Sequence, residues 1–159
     1  MAGELRQRYR GWVDVLATAA RDVLGHALVG VVLYGSVARQ SPHDGSDVDL
    51  LLIVEPLPSG RAARRALADH IEQAALRRSP DLPEASLVLR TPHEIQAGFP
   101  LLLDIVAGGT IVMDTAGAVA ALLAAWSQRL AAVGARRIVT GESWHWDLAG
   151  GRWREGWRL

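Results

Sequence analysis

Apolar positions recur at three-and-four spacing through residues 3 to 24, where Trp12, Val15, Leu16, Ala19 and Val23 share one face and Arg8, Asp14, Arg21 and Asp22 lie mostly elsewhere. That period predicts an amphipathic helix, and Gly25 supplies a stop. The pattern then changes. Ala27 to Tyr34 is a short valine-rich apolar run closed by Gly35, which predicts a buried strand. Ser36 to Arg39 opens a short helix. Gln40 to Ser46 gathers Ser41, Pro42, His43, Asp44, Gly45 and Ser46, turn formers with nothing apolar to bury, so it reads as a surface loop. A second strand follows from Asp47 to Val54, and Pro56 and Pro58 finish it.

The same alternation continues downstream. Residues 61 to 78 predict a helix with Ala63, Leu67, Ile71, Ala74 and Ala75 on its apolar face, stopped by Ser79-Pro80. Ala85 to Leu89 reads as a third strand. Thr91-Pro92-His93-Glu94 has the form of a capping box with proline at the first helical position, and the helix it starts is expected to run past Asp104 to Ala107. Gly108-Gly109 breaks it, Thr110 to Met113 is a short strand, and Thr115 is expected to cap a helix reaching about Ala132. Helices alternating with strands predict an α/β (α+β) fold, a small mixed β-sheet covered by helices. The tail from Arg136 to Leu159 holds Trp144, Trp146, Trp153 and Trp157, four of the six tryptophans, with Ala149-Gly150-Gly151 between the pairs. It reads as a Trp-rich C-terminal hairpin. The rings suit cover for one edge of the core, while Arg152, Arg154 and Arg158 beside them keep a partner surface open. The expected organisation is a domain over residues 1–135 with an extension, 136–159, packed on it.

Composition narrows the picture. The chain has 159 residues, half of them hydrophobic, which suits one compact domain with a real core. Seventeen basic residues balance seventeen acidic ones, so charge gives nucleic acid or an anionic membrane no support as a partner. Every basic residue is arginine, which excludes a catalytic lysine. The absence of cysteine excludes disulfides, thiolate zinc sites and cysteine nucleophiles, and fits a reducing compartment. Met1 to Arg10 resembles neither a signal peptide nor a membrane anchor, so a soluble, cytoplasmic protein is expected. His26, His43, His70, His93 and His145 are scattered without metal-ligand spacing; only His43 sits near the candidate chemistry.

That chemistry lies in Leu33-Tyr34-Gly35-Ser36, ten intervening residues, and Asp47-Val48-Asp49-Leu50. Asp47 and Asp49 lie two apart on a strand, so both carboxylates point to one face, as two ligands for one hard cation must. Magnesium takes one or two carboxylates together with triphosphate oxygens. A Gly-Ser turn between strand and helix lets backbone N–H groups and a hydroxyl approach phosphate, with the helix N-terminus favouring negative charge. Glycine matters there because a Cβ would obstruct the approach. A Gly-Ser dipeptide alone is a common turn, and two carboxylates at an exposed strand end can be merely solvated. Like charges on one face of an otherwise apolar strand repel, however, which favours a ligand-binding reading of the pair.

The text Val32-Leu33-Tyr34-Gly35-Ser36-Val37-Ala38-Arg39, followed by Ser46-Asp47-Val48-Asp49-Leu50, resembles the signature of the polymerase-β-like nucleotidyltransferase superfamily, especially its minimal nucleotidyltransferases. The resemblance implies the nucleotidyltransferase fold, a small mixed sheet with helices on one side. It implies an enzyme that transfers a nucleotidyl group, AMP in the first instance, from a nucleoside triphosphate to a hydroxyl acceptor that includes protein hydroxyls, with Mg2+ as cofactor. By this resemblance Asp47 and Asp49 are the catalytic metal ligands, Ser36 and the Gly35 backbone hold the terminal phosphates, and Arg39 and Ser46 assist. Active members usually add a third carboxylate from a later strand. Here that strand reads Glu84-Ala85-Ser86-Leu87-Val88-Leu89, with serine at the expected place and Glu84 the candidate that shares its face. Asp104, inside the apolar run Leu101 to Val106, is read as exposed on its helix. Minimal nucleotidyltransferases often stand as antitoxins beside a HEPN-type toxin. The alternative implied is therefore a catalytically degenerate nucleotide-binding module acting on a partner protein, with self-association also open.

Overall fold

The computed structural model describes residues 2–43, 45–140 and 143–147. Helix α1 spans Ala2–Leu24 and leads through one turn, Gly25–Ala27, into β1, Leu28–Tyr34. The short helix α2 is Gly35–Ala38, β2 is Val48–Val54, α3 is Arg61–Leu76 and β3 is Ala85–Arg90. Then come α4 (Pro92–Ala97), α5 (Leu102–Gly108), β4 (Thr110–Asp114), α6 (Ala118–Ala132), β5 (Arg136–Thr140) and β6 (Ser143–Asp147). Four strands form a mixed sheet in the order β3-β2-β1-β4, with β1 antiparallel to β2 and β4, and β2 parallel to β3.

The continuous apolar runs in β1 and β2 have a direct cause: both faces of the sheet are covered. Val31, Leu33, Leu50, Leu52 and Val54 pack with Trp12 and Leu16 of α1 and Ile71 of α3. Val32, Leu51 and Ile53 pack on the opposite face with Ile95, Leu102, Ile105 and Trp126, from α4, α5 and α6. Helices therefore lie on both sides, not on the one side that the resemblance implied. Each fully buried Leu or Ile contributes roughly 1.5–3 kcal/mol by leaving water, so burial on both faces strongly stabilises the central strand pair. Close packing sets the fit of α6 as well. A methyl at Gly30 would overlap Val119 Cγ2 and stand 2.7 Å from the Met113 carbonyl.

Three local expectations change. The helix expected from Thr91 to Ala107 is two helices, because Gly98 takes a φ of +88° and Pro100 follows it. The capping box itself forms: Glu94 N donates to Thr91 Oγ1 at 3.1 Å, and Thr91 N donates to Glu94 Oε2 at 2.9 Å. Thr115 does not cap α6; the Asp114 carboxylate accepts from Val119 N at 2.8 Å and Ala120 N at 3.0 Å. Ala63 is exposed, and Ala68 takes its place on the buried face of α3. A β-hairpin joins β5 and β6, pairing Arg136 with Asp147 and Thr140 with Ser143; the turn expected at Ala149-Gly150-Gly151 is further along the sequence. That glycine turn, Arg152, Trp153, Arg154, Trp157 and Arg158 lie outside the described residues.

Candidate active site

The antiparallel register sets Tyr34 opposite Asp49, and the parallel register sets Asp49 opposite Ser86. Three neighbouring strands thus bring Tyr34, Asp49 and Ser86 side by side on the sheet face covered by α4 to α6. Asp47 directly precedes β2, and alternation gives it the same face as Asp49. Asp47 is exposed, whereas Asp49 is half-buried. Burial first, then the Asp47 charge, raises the Asp49 carboxyl above the ordinary range; Arg39 and the Ser86 hydroxyl oppose the rise. Tyr34 is raised chiefly by burial, with the Asp49 charge adding and Ser86 opposing.

The turn after β1 is built around this carboxylate. Gly35 has a φ of +74°, and a methyl there would overlap Asp49 Oδ2 and lie 3.0 Å from its Cγ. Glycine is therefore required twice, by the backbone conformation and by the carboxylate packed on it. The Gly-Ser turn and the acidic strand, read as separate elements in the sequence, are in direct contact. Helix α2 has only four residues, so its dipole is small. What the turn offers an anion is backbone N–H groups and the Ser36 hydroxyl, which makes no hydrogen bond among the described residues.

The loop between the two elements is tied down from outside. Tyr9, buried on α1, donates its hydroxyl to the Ser46 carbonyl at 2.8 Å and to the His43 carbonyl at 3.2 Å. Ser46 is buried, and its Oγ accepts from His43 N at 2.9 Å. Its hydroxyl thus shapes the loop. Arg39 is exposed, yet its charge reaches Asp49 and also Asp104 on α5.

Glu84 is not brought to this cluster. Its carboxylate lies toward α3, where it adds to the rise of Glu72, itself caused mainly by burial. Asp104 is half-buried rather than exposed; burial raises its carboxyl, opposed by Arg39, Arg137 and the Trp146 indole. Arg137 of β5 and Trp146 of β6 thus stand near Asp104. Tyr34 and Tyr9 escaped the sequence reading because each looks like an ordinary core aromatic. The one signal for Tyr34 was its position directly before the Gly-Ser turn. Among the described residues no group of three acidic or histidine side chains is placed to hold a metal.

A mixed sheet that sets a glycine turn against a strand carboxylate is the architecture of a nucleotidyl-transfer domain. The chain belongs to the nucleotidyltransferase domain family, whose model matches residues 16–106, and it is a nucleotidyltransferase. It is 30% identical over 105 residues to MJ1305 of Methanocaldococcus jannaschii, a protein provisionally named a protein adenylyltransferase; the alignment covers 64% of this chain and 69% of that one. Its fold is similar to the crystal structure of a toxin–antitoxin with AMP-PNP, at TM-score 0.50 and 17% identity, over 76% of this chain and 91% of that one. A mutant of the toxin–antitoxin MntA–HpeT aligns at TM-score 0.45 and 16% identity, over 72% of this chain and 87% of that one. No helix among the described residues is long and apolar enough to cross a membrane.

Proposed function

We propose that the protein transfers AMP from ATP to a hydroxyl group of a protein, in the cytoplasm, with a magnesium ion held by Asp47 and Asp49. The observation that carries this reading is the Asp49 carboxylate packed directly on the Gly35 turn, with the Asp47 charge beside it. The half-buried Asp49 carboxyl, raised by burial and by the Asp47 charge beside it, belongs to a donor pair that a hard dication relieves. When bound, such an ion neutralises triphosphate charge and polarises the α-phosphate. The name of the archaeal relative supports a protein as acceptor.

The chain's own residues have distinct tasks in this reaction. Gly35 N–H and the Ser36 hydroxyl hold the terminal phosphates, and Arg39 adds a guanidinium suited to phosphate oxygens. Ser46 and Tyr9 keep the intervening loop in place. The acceptor oxygen bonds to the α-phosphorus as the bond to the bridging oxygen of the β-phosphate breaks, pyrophosphate leaves, and the acceptor's proton passes to solvent or phosphate oxygen.

A second reading rests on Ser86. It occupies the β3 position opposite Asp49, where a third carboxylate would stand, and a hydroxyl is a poor base. On that reading the domain binds nucleotide and acts by masking a partner protein, such as a HEPN-type toxin. One experiment separates the two: magnesium, α-labelled ATP and cell lysate, beside an Asp47→Ala/Asp49→Ala double variant. Label transferred by the native protein alone supports the enzyme. Magnesium-dependent ATP binding by calorimetry without transfer supports the masking module, and absence of both overturns the assignment of this site.

A further inference from the structure

Strand β3 lies at the edge of the sheet, and four of its successive residues, Leu87 to Arg90, line one cavity of about 640 Å³. Successive strand residues point to opposite faces. A hollow touched by all four therefore runs along the strand's open edge, not over either face. Its walls are α3, through Arg61, Arg65 and Ala68, and the end of α4 with the turn after it, through Ala97 and Phe99. A single ion pair braces the two walls: Arg64 Nη1 donates to both oxygens of Glu94, at 2.8 and 3.0 Å. The trough follows the edge for about 13 Å, at ~3.3 Å per strand residue. Its volume falls within the ~300–1,000 Å³ of ligand-binding clefts.

The charge of this trough is unlike that of the chain. The whole protein is neutral by formal count, yet Arg61, Arg64, Arg65 and Arg90 line the hollow against the single carboxylate of Glu94. Helix α3 has no acidic residue in its first turn, where the helix dipole disfavours cations. Arg65 pairs with Asp69 in a largely exposed bridge, which water and salt weaken. Arg90 stacks on Phe99 at 5.1 Å. Arg61 is exposed and forms no ion pair among the described residues. The Leu89 carbonyl already accepts from Arg90 Nη1 at 2.9 Å; the other main-chain groups along the strand's edge, with apolar side chains beneath them and arginines on the rim, suit an extended, acidic peptide.

The trough also leads to the chemistry. The residue before Leu87 is Ser86, the direct partner of Asp49 in the parallel register. We propose that an acidic, extended segment of the acceptor protein docks along the free edge of β3 as a fifth strand, which brings its hydroxyl residue past Ser86 to Asp49. This proposal rests on the protein-acceptor reading above. Pairing to the main chain supplies affinity, the arginines select acidic sequences, and the continuity of β3 supplies the aim.

The test uses three synthetic heptapeptides: one alternating Glu and Val around a central Tyr, the same sequence with Lys for Glu, and the acidic sequence N-methylated at alternate amides. Fluorescence polarisation reads binding, and α-labelled ATP reads transfer. The acidic peptide is expected to bind at least about tenfold tighter than the other two. Arg61→Glu/Arg65→Glu is expected to raise its KM about tenfold or more while leaving the KM for ATP in place. Equal binding of the N-methylated peptide overturns strand addition, and equal binding of the Lys peptide overturns the charge argument. Tighter binding of a single-stranded oligonucleotide at the same arginines, or a dimer of this chain that the double variant dissolves in sedimentation, assigns the trough to another occupant and also overturns the proposal. Peptide binding without transfer to any acceptor refutes the enzyme reading alone. Transfer to lysate proteins that ignores the double variant refutes the trough alone.

Discussion

Replacing Gly35 with alanine separates backbone strain from the carboxylate contact that organises the site. Gly35 and Gly117 share a φ of +74°, but only Gly35 has a neighbour where the methyl would go; the space around Gly117 is open. An L-residue forced into this region costs roughly 1–2 kcal/mol, so both Gly35→Ala and Gly117→Ala lose that much stability. For a chain of this size each 1 kcal/mol corresponds to about 2–4 °C, and both melting temperatures should fall by about 2–8 °C. At Gly35 the methyl also overlaps Asp49 Oδ2. The obstacle is the end of a side chain, so the fold survives by turning the carboxylate away from the turn. A reacting group displaced by ~1 Å costs on the order of 10²-fold in rate. Transfer of label from α-labelled ATP should therefore fall on the order of 10²-fold in Gly35→Ala and stay near native in Gly117→Ala. Equal activity of the two variants, with both folded by circular dichroism, would refute the claim that turn and carboxylate act as one site.

Three further substitutions test other parts of the argument. Burial and Asp47 raise Asp49, so the folded protein holds this proton more tightly than the unfolded chain, and stability falls as pH rises from the ordinary carboxylate pKa through the raised one. Asp49→Asn should thus melt higher than the native protein at about pH 7 despite losing activity, and the gain should vanish near pH 3.5, at or below the ordinary value of about 3.9. Ser86→Ala removes a hydroxyl that lowers Asp49, so the acidic limb of the activity profile should move to higher pH; an unchanged limb would remove Ser86 from the site. Trp126 donates its indole N–H to the Ile95 carbonyl at 2.6 Å, joining α6 to α4. Trp126→Phe should cost roughly 0.5–1.5 kcal/mol in chemical denaturation, the net worth of one buried hydrogen bond, because the Ile95 carbonyl keeps its second partner, the Gly98 N–H at 3.2 Å.

Much of this was legible from residue order because the relevant forces are local. The period of α1, the apolar runs of β1 and β2 and the Thr91 capping box declare themselves within a few neighbours. The break between α4 and α5 was present in Gly98 and Pro100, yet the apolar run beyond them, Leu101 to Val106, outweighed it. Asp114 gives no local sign of capping α6, because it reaches over from the end of a strand, while Thr115 stands in the customary place. The meeting of Gly35 with Asp49 follows from the antiparallel pairing of β1 with β2. The positions of Glu84, Asp104 and Tyr9 depend on packing between distant elements, and no local pattern encodes that. Asp104 in particular lies among apolar neighbours in sequence, but its environment is made by Arg39, Arg137 and Trp146.

The phenol of Tyr9 ties the first helix to the loop between the glycine turn and the acidic strand. By grasping two carbonyls of the segment that carries Ser46, it fixes how far the acidic strand can drift from the glycine bend. Trimming the protein from its amino end should consequently erode catalysis before it unfolds the sheet, with turnover lost at temperatures where the strands remain intact.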